Sequence, residues 1–187
     1  MKDGRTGCQA PAHLWTGGPF QPVTASGMPL GKDELIERDE YFMRLALDQA
    51  YRAAEAGEVP IGAVVVCQGV AIAEACNHRE ADADPSAHAE FSALVQASRE
   101  LERWRLPDCT VYVTLEPCIM CAGLMHQARI GRCVFGAHDA KAGALGSLYR
   151  VHADERLNHT FEVTPGVLER ECMSVLQEFF ASRRGKR

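Results

Sequence analysis

Ile61-Gly62-Ala63-Val64-Val65-Val66-Cys67-Gln68-Gly69-Val70-Ala71-Ile72-Ala73-Glu74-Ala75-Cys76 is two runs of small and β-branched apolar residues interrupted by Gln68-Gly69. The pattern predicts a hairpin, with strands at Ile61–Cys67 and Val70–Cys76. Both strands are apolar at odd and even positions alike. A strand of that kind must be covered above and below, which implies helices on both faces of a sheet and a three-layer α/β architecture. The register pairs Cys67 with Val70 and Cys76 with about Ile61, so Cys67 and Cys76 do not meet.

Working outward, the alternation continues. Apolar residues at 42, 45, 46, 50, 53 and 54 follow Asp39 and stop at Gly57, the spacing of one helix face. Ser86 is placed to cap a helix reaching about Arg103, with Phe91, Leu94, Val95, Ser98 and Leu101 inward. Cys109–Leu115 is a strand, and Pro117 suits the first position of the next helix, which ends near Gly131. Arg132–Gly136 is a further strand. A loop with Gly143 and Gly146 leads to a short strand at 160–164 and a last helix from about Pro165 to Arg183. Residues 38–187 thus form one α/β domain. Residues 1–37, dense in proline and glycine and without periodicity, read as a disordered extension, or as an over-extended start with Met28 the next initiator.

Composition narrows the function. The 187 residues are 47% hydrophobic and 24% charged, with a net charge of −5, which excludes a uniformly basic nucleic-acid binder but not a local basic patch. Val59–Ala73 lacks charge but is broken by Pro60, Gly62, Gln68 and Gly69, too short and interrupted for a membrane span. No apolar core of a secretory signal is visible, so a cytoplasmic location is expected. The eight cysteines then read as reduced thiols or metal ligands. Two basic features are open to phosphate: Arg103-Trp104-Arg105, and the four basic residues among the last five, Arg183 to Arg187.

Two motifs carry the chemistry: His88-Ala89-Glu90 and Pro117-Cys118-Ile119-Met120-Cys121. Each alone is a weak signal, but geometry joins them. A helix over 87–102 is roughly 24 Å long. The strand 109–115 is roughly 23 Å long. If that strand returns antiparallel to the helix, Cys118 and Cys121 arrive beside His88. Two thiolates and an imidazole make three protein ligands, which leaves a zinc ion one open position for water. Bound water drops in pKa and becomes a nucleophile, and Glu90 is the group to carry its proton. That combination means hydrolysis. A dithiol oxidoreductase, which would not need Glu90, and a non-catalytic zinc module, which would need a fourth ligand, are the alternatives from other classes.

His-x-Glu followed by Pro-Cys-x-x-Cys is the signature of zinc-dependent base deaminases. The chain resembles the bacterial tRNA-specific adenosine deaminases further, through Glu58-Val59-Pro60-Ile61-Gly62-Ala63-Val64, Asn77, Tyr112–Gly123 and Arg129-Ile130-Gly131-Arg132 with Asp139-Ala140-Lys141. The resemblance covers about residues 39–184. It implies a cytidine-deaminase-like α/β/α sandwich around a five-stranded mixed sheet, acting as a homodimer. It also implies one zinc per subunit on His88, Cys118 and Cys121, with zinc hydroxide attacking C6 of adenine and Glu90 as proton shuttle. The implied substrate is the wobble adenosine of a tRNA anticodon loop, in the arginine tRNA reading ACG. Asn77, Ala89 and Asp139 would contact the substrate nucleotide. The close competitor is deamination of a free base or nucleotide, because the zinc motifs serve both alike.

Overall fold

Strands β1 (Gly62–Cys67) and β2 (Val70–Cys76) form the expected hairpin, closed by Cys67 opposite Val70, with Gln68 and Gly69 both at positive φ. The far end differs by one residue: Cys76 faces Gly62, because the register shifts between Val65 and Val66 and leaves Ile72 as a bulge. The computed structural model describes residues 31–184. Within it β3 (Cys109–Leu115), β4 (Arg132–Ala137) and β5 (Glu162–Thr164) complete one mixed sheet of order β2-β1-β3-β4-β5. β1 pairs antiparallel with β2 and β3, whereas β3, β4 and β5 run parallel.

The alternation of β1 sorts the two cores. Ala63, Val65 and Cys67 join Cys109, Val111 and Val113 in a cluster covered by α2 (Ala89–Glu100) and α3 (Ile119–Gln127). Val64 and Val66 join Tyr112 and Val134 in a second cluster under α1 (Lys32–Glu55) and α4 (Glu169–Arg184). Helices therefore lie on both faces, as the doubly apolar strands require. Gly62 is where α1 presses on the sheet, since a Cβ there would meet the Ala46 carbonyl oxygen at 2.0 Å and the Ala50 nitrogen at 2.6 Å. Under the sheet's edge Arg132 forms a buried ion pair with Asp39, which also accepts the Tyr112 hydroxyl.

Several boundaries move. α1 begins at Lys32, so residues 32–37 belong to a helix and not to the extension; residues 1–30 and 185–187 lie outside the described residues. Its first two turns are exposed, so no apolar periodicity marks them. They are held by the Gly31 N–H donating to the Glu34 carboxylate at 2.9 Å, with Asp33 and Glu34 at the positive end of the helix. Ser86 does not cap α2 but bonds Asp84, and His88 takes the cap position. The buried face of α2 is Ala89, Glu90, Ala93, Leu94 and Ala97, one residue round from the predicted stripe, leaving Phe91, Val95, Ser98 and Leu101 half-buried. Pro117 precedes the α3 cap, and α3 stops at Gln127 where Arg129 turns to φ 56°. α4 starts at Glu169, since Gly166 and Leu168 at positive φ break any earlier helix.

Candidate active site

His88 and Cys118 occupy equivalent places: each is the extended residue that caps a helix on the same face of the sheet, His88 before α2 and Cys118 before α3. Neither side chain caps its own helix, so both are free to face elsewhere. They face each other. His88 Nδ1 lies 3.7 Å from Cys118 Sγ and 3.7 Å from Cys121 Sγ, and the three ligand atoms all fall within 4.8 Å of one another. The topology brings this about. β2 leads through α2 to β3, parallel strands with β1 between them, so β3 runs back along α2 and delivers Cys118 to the start of that helix.

The donor set fits zinc. Tetrahedral bonds of about 2.3 Å to sulfur and about 2.05 Å to nitrogen put neighbouring ligands about 3.6 Å apart. The observed 3.7 Å is that edge. Two helix N-termini point at the group and favour thiolates there. Cys118 is held down at about 3, chiefly because the Cys121 thiol donates to it, with burial opposing and His88 assisting. Cys121 is pushed up by that same hydrogen bond and by burial.

Glu90, in the first turn of α2, is 4% exposed. Its Oε2 is a buried oxygen with no hydrogen-bond partner among the described residues. Burial pushes its carboxyl up from the ordinary value, with Cys118 adding and His88 opposing. A buried carboxyl oxygen left without a partner among the described residues, beside three ligand atoms, fits a metal-bound water.

The remaining predicted contacts are placed differently from one another. Ala89 opens α2, so its N–H has no intrahelical partner. Asn77 is buried and donates its amide to Glu58 Oε2 at 3.0 Å. A carboxylate only accepts, so the Asn77 carbonyl is the end left for a ligand. Asp139 bonds its own loop, its Oδ1 accepting from the Lys141 and Ala142 N–H groups.

Two carboxylates that sequence reasoning gave no role are the supports of this site. Glu58 holds Asn77 and, through Oε1, the Ala81 N–H at 2.7 Å. Glu116 is buried at the end of β3 and accepts from the Asp139, Leu145 and Ser147 N–H groups and from the Ser147 hydroxyl. Burial alone would raise Glu116, but the donors from Ser147, Asp139 and Leu145 hold it below the usual carboxylate value. Gly143 is glycine because a Cβ would meet the Glu116 carboxyl carbon at 2.4 Å. The visible signal for Glu116 was an acid sitting at the end of an otherwise apolar strand.

Around the site, a cavity of about 580 Å³ is lined by Ile119, Tyr149, Arg150, Val151, Asp154 and Arg156, next to Cys118 in the chain. Tyr149 and Ile119 are exposed. Arg103 instead pairs with Asp108, and Arg105 stacks on the exposed Trp104 ring at 4.5 Å. Arg183 packs on Phe179 and donates to the Gly57 carbonyl.

This sheet, with a three-atom sulfur and nitrogen cluster and a buried carboxyl beside it, defines a zinc-dependent deaminase of the cytidine-deaminase-like class, a hydrolase. Residues 36–137 match the family model of the cytidine and deoxycytidylate deaminase zinc-binding region. The chain is 47% identical over 152 residues to the tRNA-specific adenosine deaminase of Bacillus subtilis, covering 81% of this chain and 94% of that one. It is 48% identical over 149 residues to the enzyme of the same name from Haemophilus influenzae, covering 79% and 86%. A solved structure from a study of A-to-I editing by tRNA:A34 deaminases superposes with a TM-score of 0.70 at 43% identity, over 73% of this chain and 99% of that one. A guanine deaminase from Nitrosomonas europaea shares the fold at 26% identity and a TM-score of 0.66, over 76% and 84%. The chain belongs to the tRNA-specific adenosine deaminase family.

Proposed function

We propose that this protein converts adenosine to inosine at the wobble position of a tRNA anticodon, with the arginine tRNA reading ACG as its substrate. The observation that carries the reaction is the unpartnered Glu90 oxygen beside the His88, Cys118 and Cys121 atoms. Relatives of the same name at 47% and 48% identity support RNA over a free base. His88, Cys118 and Cys121 would hold one zinc ion per subunit, which when bound would lower the pKa of a water and make it a nucleophile toward C6. Glu90 takes the proton from that water and passes protons to the purine ring and then to the departing amine, so that water enters and ammonia leaves. The raised pKa of Glu90 suits a group that must both receive and release a proton.

The Ala89 N–H and the Asn77 carbonyl orient the flipped nucleotide. Asp139 shapes the loop at 139–147, whose backbone borders it. Tyr149 and Arg150 offer a ring and a cation to the flanking nucleotides, the pairing that single-stranded RNA loops use. A homodimer belongs to this reading. The outer faces of α2 and α3 leave Val95 and Leu124 half-buried and Trp104 exposed around a groove of about 320 Å³, and a second copy would cover it. Among the described residues no helix is long and apolar enough to cross a membrane.

The test is incubation with an arginine tRNA transcript bearing ACG, read by sequencing for inosine, with free adenosine, cytidine and guanine alongside. Conversion confined to the wobble adenosine is expected. Ammonia released only from a free base would keep the zinc chemistry and overturn the RNA substrate.

A further inference from the structure

At the opposite end of β3 from the active site, a second group of sulfur and oxygen ligands converges. Cys67 closes the β1–β2 hairpin and is the register partner of Cys109 across β1 and β3. The Cys109 N–H donates to Leu106 and its carbonyl accepts from Gly131, so its backbone faces away from β1. Cys67 and Cys109 therefore form a non-hydrogen-bonded pair, the closer of the two kinds, with side chains on one face. Both are buried, 1% and 0% exposed. Asp108 spans them, with Oδ2 3.5 Å from Cys67 Sγ and Oδ1 3.9 Å from Cys109 Sγ. The three ligand atoms lie within 4.8 Å of one another, as the His88, Cys118 and Cys121 atoms do.

We propose that Cys67, Cys109 and Asp108 form a second metal site, for a thiophilic divalent cation such as zinc or cadmium, separate from the catalytic centre. Each sulfur lies close to one oxygen of the carboxylate, at 3.5 and 3.9 Å, near the ligand–ligand edge of about 3.6 Å in a tetrahedral thiolate site. Charge closes as well. Two thiolates and a carboxylate are balanced by the divalent ion and by the Arg103 guanidinium that already donates to Asp108. Asp108 is 32% exposed at its side chain, so the ion has a way in and a place for water as fourth ligand. Seven residues of β3 set the two sites roughly 20 Å apart. At that distance the second ion takes no part in catalysis. It ties the hairpin end to β3.

The experiment uses the full chain, stripped of metal under reducing conditions and titrated with cadmium, following the sulfur-to-cadmium charge-transfer absorption. Wild type is expected to take two equivalents. Cys67→Ala/Cys109→Ala should take one and, reloaded with zinc, keep full deaminase activity. Asp108→Asn, a change at a half-buried side chain that leaves both core thiols in place, should weaken the second equivalent at least about tenfold. A wild-type chain that saturates at one equivalent overturns the site. So does a second equivalent that survives both variants unchanged.

Discussion

Glu90 combines burial, a first-turn place on α2 and one unpartnered oxygen, and each property has a separate consequence. A first-turn acid that served only the helix dipole would be replaceable by glutamine at a cost of well under 1 kcal/mol. A proton carrier would not. Glu90→Gln is expected to retain zinc, measured by elemental analysis, and to retain its melting temperature, while deamination falls by at least about a thousandfold. Activity above a tenth of wild type would remove Glu90 from the proton path. Cys121→Ala should behave in the opposite way, losing metal and thermal stability together, because the metal's binding energy is also folding energy. The clustering of His88, Cys118 and Cys121 was legible in the residues, since their chemistry and spacing are visible in a line of text. Glu58 and Glu116 were not. Their roles depend on which backbone N–H groups loop back onto them, across 23 and up to 31 residues of chain.

At the scale of elements, the hairpin's doubly apolar strands announced the three layers, and β3 was read to the residue. Helix ends were read less well. The start of α1 is exposed and polar, so no burial pattern reaches it. The face of α2 is rotated because small alanines at 89, 93 and 97 pack against the sheet where larger residues were expected. Small residues make close approach, and Gly62 is the extreme case. Gly62→Ala should cost at least about 3 kcal/mol in denaturant unfolding, since backbone atoms of α1 cannot yield as a side-chain tip would. Glu116 gives the loop at 139–147 an acid dependence. Its folded pKa is depressed, so its stabilising contribution is complete above the unfolded value of about 4.3 and fades as pH falls below it. Thermal melts from pH 6 downward should show that loss, and Glu116→Gln should flatten the low-pH part of the profile.

For the whole molecule, net charge and substrate pull against each other: a chain of −5 that grips tRNA must do so through a few placed cations. Turnover of tRNA at subsaturating concentration should fall steeply between about 50 and 200 mM salt, and Arg150→Ala should lower both the rate and the salt slope. A flat salt profile would favour a small-molecule substrate. The crossover from β2 over β1 to β3 has one more consequence, and it concerns time. His88 lies before that crossover and Cys118 after it, so the hairpin can form while the metal ligands are still apart. His88 and Cys118 come together only once β3 has docked on the free edge of β1, the strand pairing that closes the longest stretch of chain in this sheet. In a refolding experiment, then, metal capture is a clock for the docking of β3 on β1: hairpin signals come first, and the metal-sensitive signal arrives only when that pairing has formed.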